Sequence, residues 1–254
     1  MKVVANMPRS LRWFVINLIY NCMIVAIHQP EFFPWLGFFH KMYLSDVFVF
    51  LDNVQFEKNN WQNRNRIMLS GKPGWLTMPI KKHSLNTKIK DIEIDWQSSN
   101  VVKDHLNSIR FNYCKCKFFN ELFPFMEGLY LKQPKYLADF NLEFIKFISQ
   151  KLGIDKKFIL ASELKLPVDL KGGTEVTLDI VKKMKGDIYL SGSGAKDYLI
   201  QERYQEEKIL LKFQEFHHPE YFQRGIVSFV SNLSILDLYL NHGPESVTII
   251  KSTN

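Results

Sequence analysis

Apolar positions along the chain alternate between two lengths and two periods. Ile24-Val25-Ala26-Ile27 is a short continuous apolar run, the pattern of a strand buried on both faces. It ends at His28-Gln29-Pro30, because proline cannot continue a ladder. Pro34 suits a first helical position. Trp35, Leu36, Phe38, Phe39, Met42 and Tyr43 then recur at helical spacing up to Ser45. After Asp46, Val47 to Leu51 reads as a second buried strand. Strand, helix and strand in so short a span predict a right-handed parallel crossover.

Glu57 to Arg66 is polar and Ile67 to Leu69 apolar. Ser70 to Gly74 has turn composition, Trp75 to Ile80 reads as a strand, and the alternating Ile89 to Ile94 as one near an edge. The middle changes character: Val101–Phe111, Phe118–Leu131 and Tyr136–Leu152 carry helical spacing, punctuated by Pro124 and Pro134. Lys157 to Leu160 resumes a strand. Thr174 to Lys185 reads as a helix capped by Thr174 after Gly172-Gly173. Asp187 to Leu190 is a strand ending in Ser191-Gly192-Ser193-Gly194-Ala195, with a helix expected near Lys196 to Arg203. Ile209 to Phe213 is a late strand and Ile235 to Leu240 a short helix.

The expectation is an α/β fold with a mostly parallel sheet, a Rossmann-like core at 23–95 and 155–254, and a helical segment at 96–154. At 254 residues, one domain is natural for 23–254. Met1 to Cys22 loosely imitates a signal peptide, but Asn17 and Asn21 interrupt its apolar run and no small-residue cleavage site follows. It is short for a membrane span. Residues 1–22 are expected to stand outside the fold, with Met23 as the functional start.

A formal net charge of +7 favours anionic partners. No nucleic-acid-binding signature accompanies it, so a phosphorylated small molecule is expected rather than nucleic acid. Three cysteines, Cys22, Cys114 and Cys116, fit a reducing compartment, hence a cytoplasmic protein. Neither Cys114/Cys116 nor His217-His218 has further ligands at metal-site spacing. The motifs name no cofactor: GxxxxGK[ST] and G-x-S-x-G are both absent.

Four segments resemble the WbqC-like family of bacterial surface-polysaccharide proteins. They are Ile27-His28-Gln29-Pro30 with Pro34-Trp35-Leu36-Gly37, Asp46 to Phe56, Trp61 to Ile67, and Ser191 to Ala195 with Tyr198-Leu199, followed by Asn232 to Asp237. Together they span Met23 to about Pro244. The resemblance implies a role in a surface-polysaccharide (O-antigen) cluster. The opening is also similar to nucleotidyltransferase-like folds, pantoate ligase among them. The paired-histidine HxGH signature of that class is replaced by Pro34-Trp35-Leu36-Gly37-Phe38, which speaks against adenylyl transfer from ATP.

His28, Gln29, Asp52, Asn53 and Gln55 follow the ends of two strands, where open parallel sheets bind ligands. His28 is the candidate general base, or else a histidine bonded to the next loop. Asp52 would orient His28, bind a sugar hydroxyl, or cap its own turn. Asn63-Arg64-Asn65-Arg66 suits phosphate or carboxylate. Extended alternation would set Asn63 and Asn65 on one side and Arg64 and Arg66 on the other. Trp35 and Trp61 offer stacking faces. Ser191, Gly192, Ser193 and Gly194 would bring backbone amides to an anion, with Tyr198 close behind. The leading function is a transferase adding an acyl or aminoacyl group to a nucleotide-linked (amino) sugar. A nucleotide-dependent ligase and a non-catalytic glycan-assembly protein are the alternatives.

Overall fold

The computed structural model describes residues 22–98, 100–167 and 172–252. Residues 1–21, most of the leader, lie outside them. The described chain begins with β1 (Ile24–His28), α1 (Leu36–Leu44), β2 (Val47–Phe50), and the pair β3 (Arg64–Leu69) and β4 (Lys72–Thr77). Helices α2 (Val101–Tyr113), α3 (Phe119–Lys132) and α4 (Leu137–Lys151) follow. The second half holds β5 (Lys157–Leu160), α5 (Gly172–Lys183), β6 (Ile188–Ser191), α6 (Gln201–Glu206), β7 (Leu210–Phe213), α7 (Ile235–His242) and α8 (Ser246–Lys251).

Five strands form one parallel sheet in the order β5-β2-β1-β6-β7. The chain works outward from β1 through β2 to β5, then crosses back to β6 on the other side of β1. Doubly wound sheets share this order, and their ligands bind where it reverses. Here that point lies between β1 and β6.

Side-chain alternation explains the continuous apolar runs. Ile24, Ala26, Phe48, Phe50, Ile188 and Leu190 enter one core with α1 and the α2–α4 segment. Val25, Ile27, Val47, Val49 and Tyr189 enter a second core with α5 and Tyr204 of α6. Both faces are covered, so neither face of a strand can be polar. The α2–α4 helices add Phe140, Phe144, Ile145 and Ile148, all fully buried, to the first core.

Several elements depart from the sequence reading. The β3–β4 turn tightens to Ser70-Gly71, and Pro73 and Gly74 pair within β4 against Met68 and Ile67. Proline is tolerated there because the hairpin is a separate two-stranded sheet with open edges. Ile89 to Ile94 forms a 3₁₀ turn at Ile89–Asp91, followed by single bridges from Glu93 and Ile94 rather than a strand. Pro124 sits inside α3 instead of punctuating it. Helix α5 starts at Gly172, and Thr174 does not cap it: its Oγ1 accepts from Ile200 N (3.1 Å) and so ties α5 to the loop after β6. That loop holds a 3₁₀ turn at Ser193–Ala195, and α6 begins only at Gln201. The Gly-rich turn therefore brings no α-helix N-terminus to a ligand.

Candidate functional site

At the reversal of strand order lies a cavity of about 400 Å³, within the size range of small-molecule sites. Three strand ends feed it: His28 from β1, Gly192, Ser193 and Gly194 after β6, and Gln214 and Phe216 after β7. The turn at Gly192 runs beside Lys41, where an added Cβ would make an ordinary contact with Lys41 Nζ at 3.8 Å.

The floor is built from β1 and the loop after it. His28 Nδ1 lies 3.1 Å from the Gln29 carbonyl oxygen. A carbonyl only accepts, so this bond places the proton on Nδ1 and leaves Nε2 as an acceptor. Burial, and next the Lys41 charge, pull the His28 pKa well below its usual value, so the ring is neutral at pH 7. Its ring meets that of Phe38 in a T-shaped contact, the centroids 4.9 Å apart. Glu31 Oε1 is 3.6 Å from His28 Nδ1, and Glu31 Oε2 has no hydrogen-bond partner among the described residues. Burial raises the Glu31 carboxyl to about 8 against the pull of Lys41. Lys41 comes from α1, a helix buried from Leu36 through Met42, and donates to the Ile27 carbonyl at 3.0 Å. Burial lowers its ammonium to about 7.

The loop bearing Glu31 is held from several sides. Phe32 N donates to Trp61 O (2.9 Å), and Asn141 Nδ2 donates to Pro30 O and Gln62 O. Phe33, fully buried, adopts a left-handed backbone with φ 44°. Such a conformation costs a non-glycine residue about 1–2 kcal/mol. Asn65 Nδ2 on the Phe33 carbonyl (3.0 Å) and the edge contact of Phe33 with Phe144 hold it in place.

Walls and rim are aromatic and basic. Trp35 meets Phe216 edge-on at 5.2 Å, and both line the cavity with Trp61. Arg66 reaches the rim, where its Nη2 donates to the Asn232 carbonyl at 3.2 Å while its buried Nε has no partner among the described residues. Asn232 is also left-handed, with φ 58°. Gln214 donates from Nε2 to the Gly37 carbonyl and lies 2.8 Å from His40 Nδ1, fastening the β7 end to α1.

The cavity thus gathers His28, Trp35, Trp61, Arg66, Gly192, Ser193 and Gly194 from the sequence candidates. The others lie around it or away from it. Gln29 is one layer behind, accepting from Gln62 Nε2 at 2.6 Å. Asn63 and Asn65 are buried supports, Asn63 donating to Met78 O. Arg64 stacks over Trp75 at 4.3 Å outside the cavity lining. Ser191 is buried in β6. Asp52 engages Ser162, accepting from its N (2.8 Å) and its Oγ (2.6 Å), and so fixes the turn after β5. Asn53 leans toward Ala161 O at 3.5 Å, Gln55 bridges Lys88, and Tyr198 is exposed beside Gly173.

Sequence reading passed over Glu31, Lys41, Gln214, Phe216 and Asn232. Two carried a signal. Glu31 is a lone carboxylate in an apolar string, and Lys41 interrupts a nine-residue helix that is otherwise mostly apolar. Among the described residues no helix is long and apolar enough to cross a membrane, and no group of three or more His, Cys, Asp or Glu side chains gathers as a metal site.

Comparison with known proteins covers this same region. The chain is 29% identical over 224 residues to "Uncharacterized protein Rv1507c" of Mycobacterium tuberculosis (strain ATCC 25618 / H37Rv), a match spanning 87% of this chain and 95% of that relative. No solved structure matches. The model of the WbqC-like protein family matches residues 29–249, which take in every cavity residue except His28. The chain belongs to the WbqC-like protein family.

Proposed function

We propose that this protein is a transferase of bacterial surface-polysaccharide (O-antigen) assembly, acting in the cytoplasm on a nucleotide-linked amino sugar that receives an acyl or aminoacyl group. The observation that carries the reading is that a neutral imidazole with Nε2 as acceptor and a guanidinium with an unpartnered Nε share one cavity at the sheet's switch point. Arg66 supplies a forked donor for a phosphate oxygen. Trp35 and Trp61 supply faces for a sugar or base ring.

In the reaction the amine nitrogen attacks the carbonyl carbon of an activated acyl donor. The new N–C bond forms as the bond from that carbon to the donor's carrier breaks, and the bonding pair leaves with the carrier. His28 Nε2 takes the amine proton and returns it to the departing carrier, so the enzyme ends unchanged. Incubation with a panel of nucleotide-linked sugars and activated acyl donors, read by mass spectrometry, tests this. The expected result is a sugar nucleotide heavier by one acyl group; an unchanged mass across the panel would refute it.

A nucleotide-dependent ligase is the second reading, favoured by the strand order typical of nucleotide-binding sheets. Exchange of labelled pyrophosphate into ATP separates the two.

A further inference from the structure

Glu31 stands out among the buried ionisable groups because nothing in the fold accounts for one of its oxygens. The residue is 6% exposed, yet it lines the cavity. Its Oε1 is 3.6 Å from His28 Nδ1, beyond good hydrogen-bond length, and that nitrogen already faces the Gln29 carbonyl. Its Oε2 is buried and has no partner among the described residues. Lys41 is the obvious counter-ion, but it hydrogen-bonds the Ile27 carbonyl, and no ion pair joins it to Glu31. A buried polar atom without a partner is costly, and natural folds rarely keep one without a use.

The surroundings restrict what can meet that oxygen. Phe38, Trp35, Trp61 and Phe216 line the same cavity, and aromatic faces attract ammonium groups. Arg66 lines the same cavity, and its buried Nε has no partner among the described residues. One cavity therefore offers a carboxyl for a cation and a guanidinium for an anion.

We infer that Glu31 is the amine-recognising group of this cavity, its carboxyl binding the amino group of a phosphorylated amino sugar whose phosphate meets Arg66. The inference rests on the transferase reading and specifies the substrate within it. Glu31 holds the nitrogen beside His28, and its carboxylate takes one proton from the ammonium before transfer. The free amine then attacks while His28 Nε2 receives the second proton. A hydroxyl in the same place gains only a neutral hydrogen bond. An ammonium instead supplies the charge that burial denies the carboxylate, and the resulting charge-assisted bond is the stronger one. Because burial keeps the Glu31 carboxyl protonated near neutral pH, binding an ammonium drives one proton off it.

Calorimetric titration of the whole protein tests this with UDP- and dTDP-linked sugar pairs that differ only in bearing an amino or a hydroxyl group at one carbon. The wild type should prefer the amino member of a pair by about tenfold or more. Proton release, read from titrations in two buffers of different ionisation enthalpy, should accompany the amino member alone. Glu31→Gln should lose both the preference and the proton release while still binding the hydroxyl member. Equal binding of both members by the wild type would overturn the amine assignment and leave the transferase reading standing. So would a preference that survives Glu31→Gln. Binding of no sugar nucleotide by the wild type would overturn the transferase reading itself, and the amine assignment with it. The wild-type comparison needs no variant, so it decides the matter even if Glu31→Gln fails to fold.

Discussion

Glu31 Oε1 lies 3.6 Å from His28 Nδ1, the two standing three positions apart in a stretch that is not helical. The contact is made by the end of a strand folding back under its own loop, where Pro30 has stopped the ladder and the left-handed Phe33 turns the chain toward α1. Two titratable side chains are thus concentrated in a segment whose backbone is fixed by the core beneath it.

Burial and the Lys41 charge hold His28 neutral, which sets the pH dependence of transfer. As pH falls, kcat for the bound substrate should stay level through 6.5, the ordinary histidine value, and decline only at more acid pH. His28→Gln should lower kcat by about 10²–10⁴-fold. A pH–rate profile checks both; an acid limb at or above the ordinary value would contradict the assignment.

Glu31 and Lys41 should reveal themselves in stability against pH, with opposite signs. The folded Glu31 pKa is raised from 4.5 to about 8, so across that window the native chain keeps a proton the unfolded chain releases. The wild type should lose stability as pH rises through it, and the stability of Glu31→Gln relative to wild type should grow. The folded Lys41 pKa is lowered from 10.5 to about 7, so there the unfolded chain holds the extra proton. Between about 7 and 8 the two slopes oppose each other; from about 8 to 10.5 the wild type gains stability, and any advantage of Lys41→Met should shrink. Urea denaturation at stepped pH measures both slopes.

Arg64 and Arg66 share one face of β3, and both guanidiniums sit over Trp75, at 4.3 and 5.8 Å. Only Arg66 lines the cavity, so the two should behave differently. Arg66→Gln should weaken binding of a nucleotide-linked sugar by about 10–100-fold, the worth of a charge-assisted hydrogen bond. Arg64→Gln should change it by less than about threefold, the scale of an exposed charge contact. Calorimetric titration of the two variants side by side decides it.

How much of this was written in the sequence depends on the range of the interaction concerned. Strand runs such as Ile24 to Ile27 and Val47 to Phe50 were legible because burial on both faces leaves no room for a polar residue. The side switch of Asn65 and Arg66 was legible for the same period-two reason. The partners of single polar groups were not. Asp52 reads equally as a cap or a ligand contact until Ser162, 110 residues away, is seen on its carboxylate. Arg66 finds Asn232 across 166 residues, and no local pattern announces that meeting. Thr174 has the residue type and place of a cap, and only the nearness of Ile200 gives it another task. Long-range pairing is a property of the fold, and a single sequence states it only through the topology it permits.

Gly37 offers a last test, because the position couples backbone space to the cavity wall. A Cβ added there would overlap the indole of Trp35, whose ring is set edge-on to Phe216 across the wall. The indole is rigid and half-buried, so it must swing away rather than flex. Gly37→Ala should therefore cost about 1–3 kcal/mol, the usual penalty for forcing volume into a packed site. It should also weaken binding of a nucleotide-linked sugar by displacing one aromatic wall. Gly128 in α3 is the control: it is exposed and a Cβ there meets nothing within 4 Å. Gly128→Ala should stabilise the protein by about 0.5–1 kcal/mol, since alanine is the better helix former. Thermal melting with and without a sugar nucleotide measures both variants. If Gly37→Ala bound as tightly as wild type, Trp35 would have no part in holding the ligand and the cavity's aromatic wall would be packing alone.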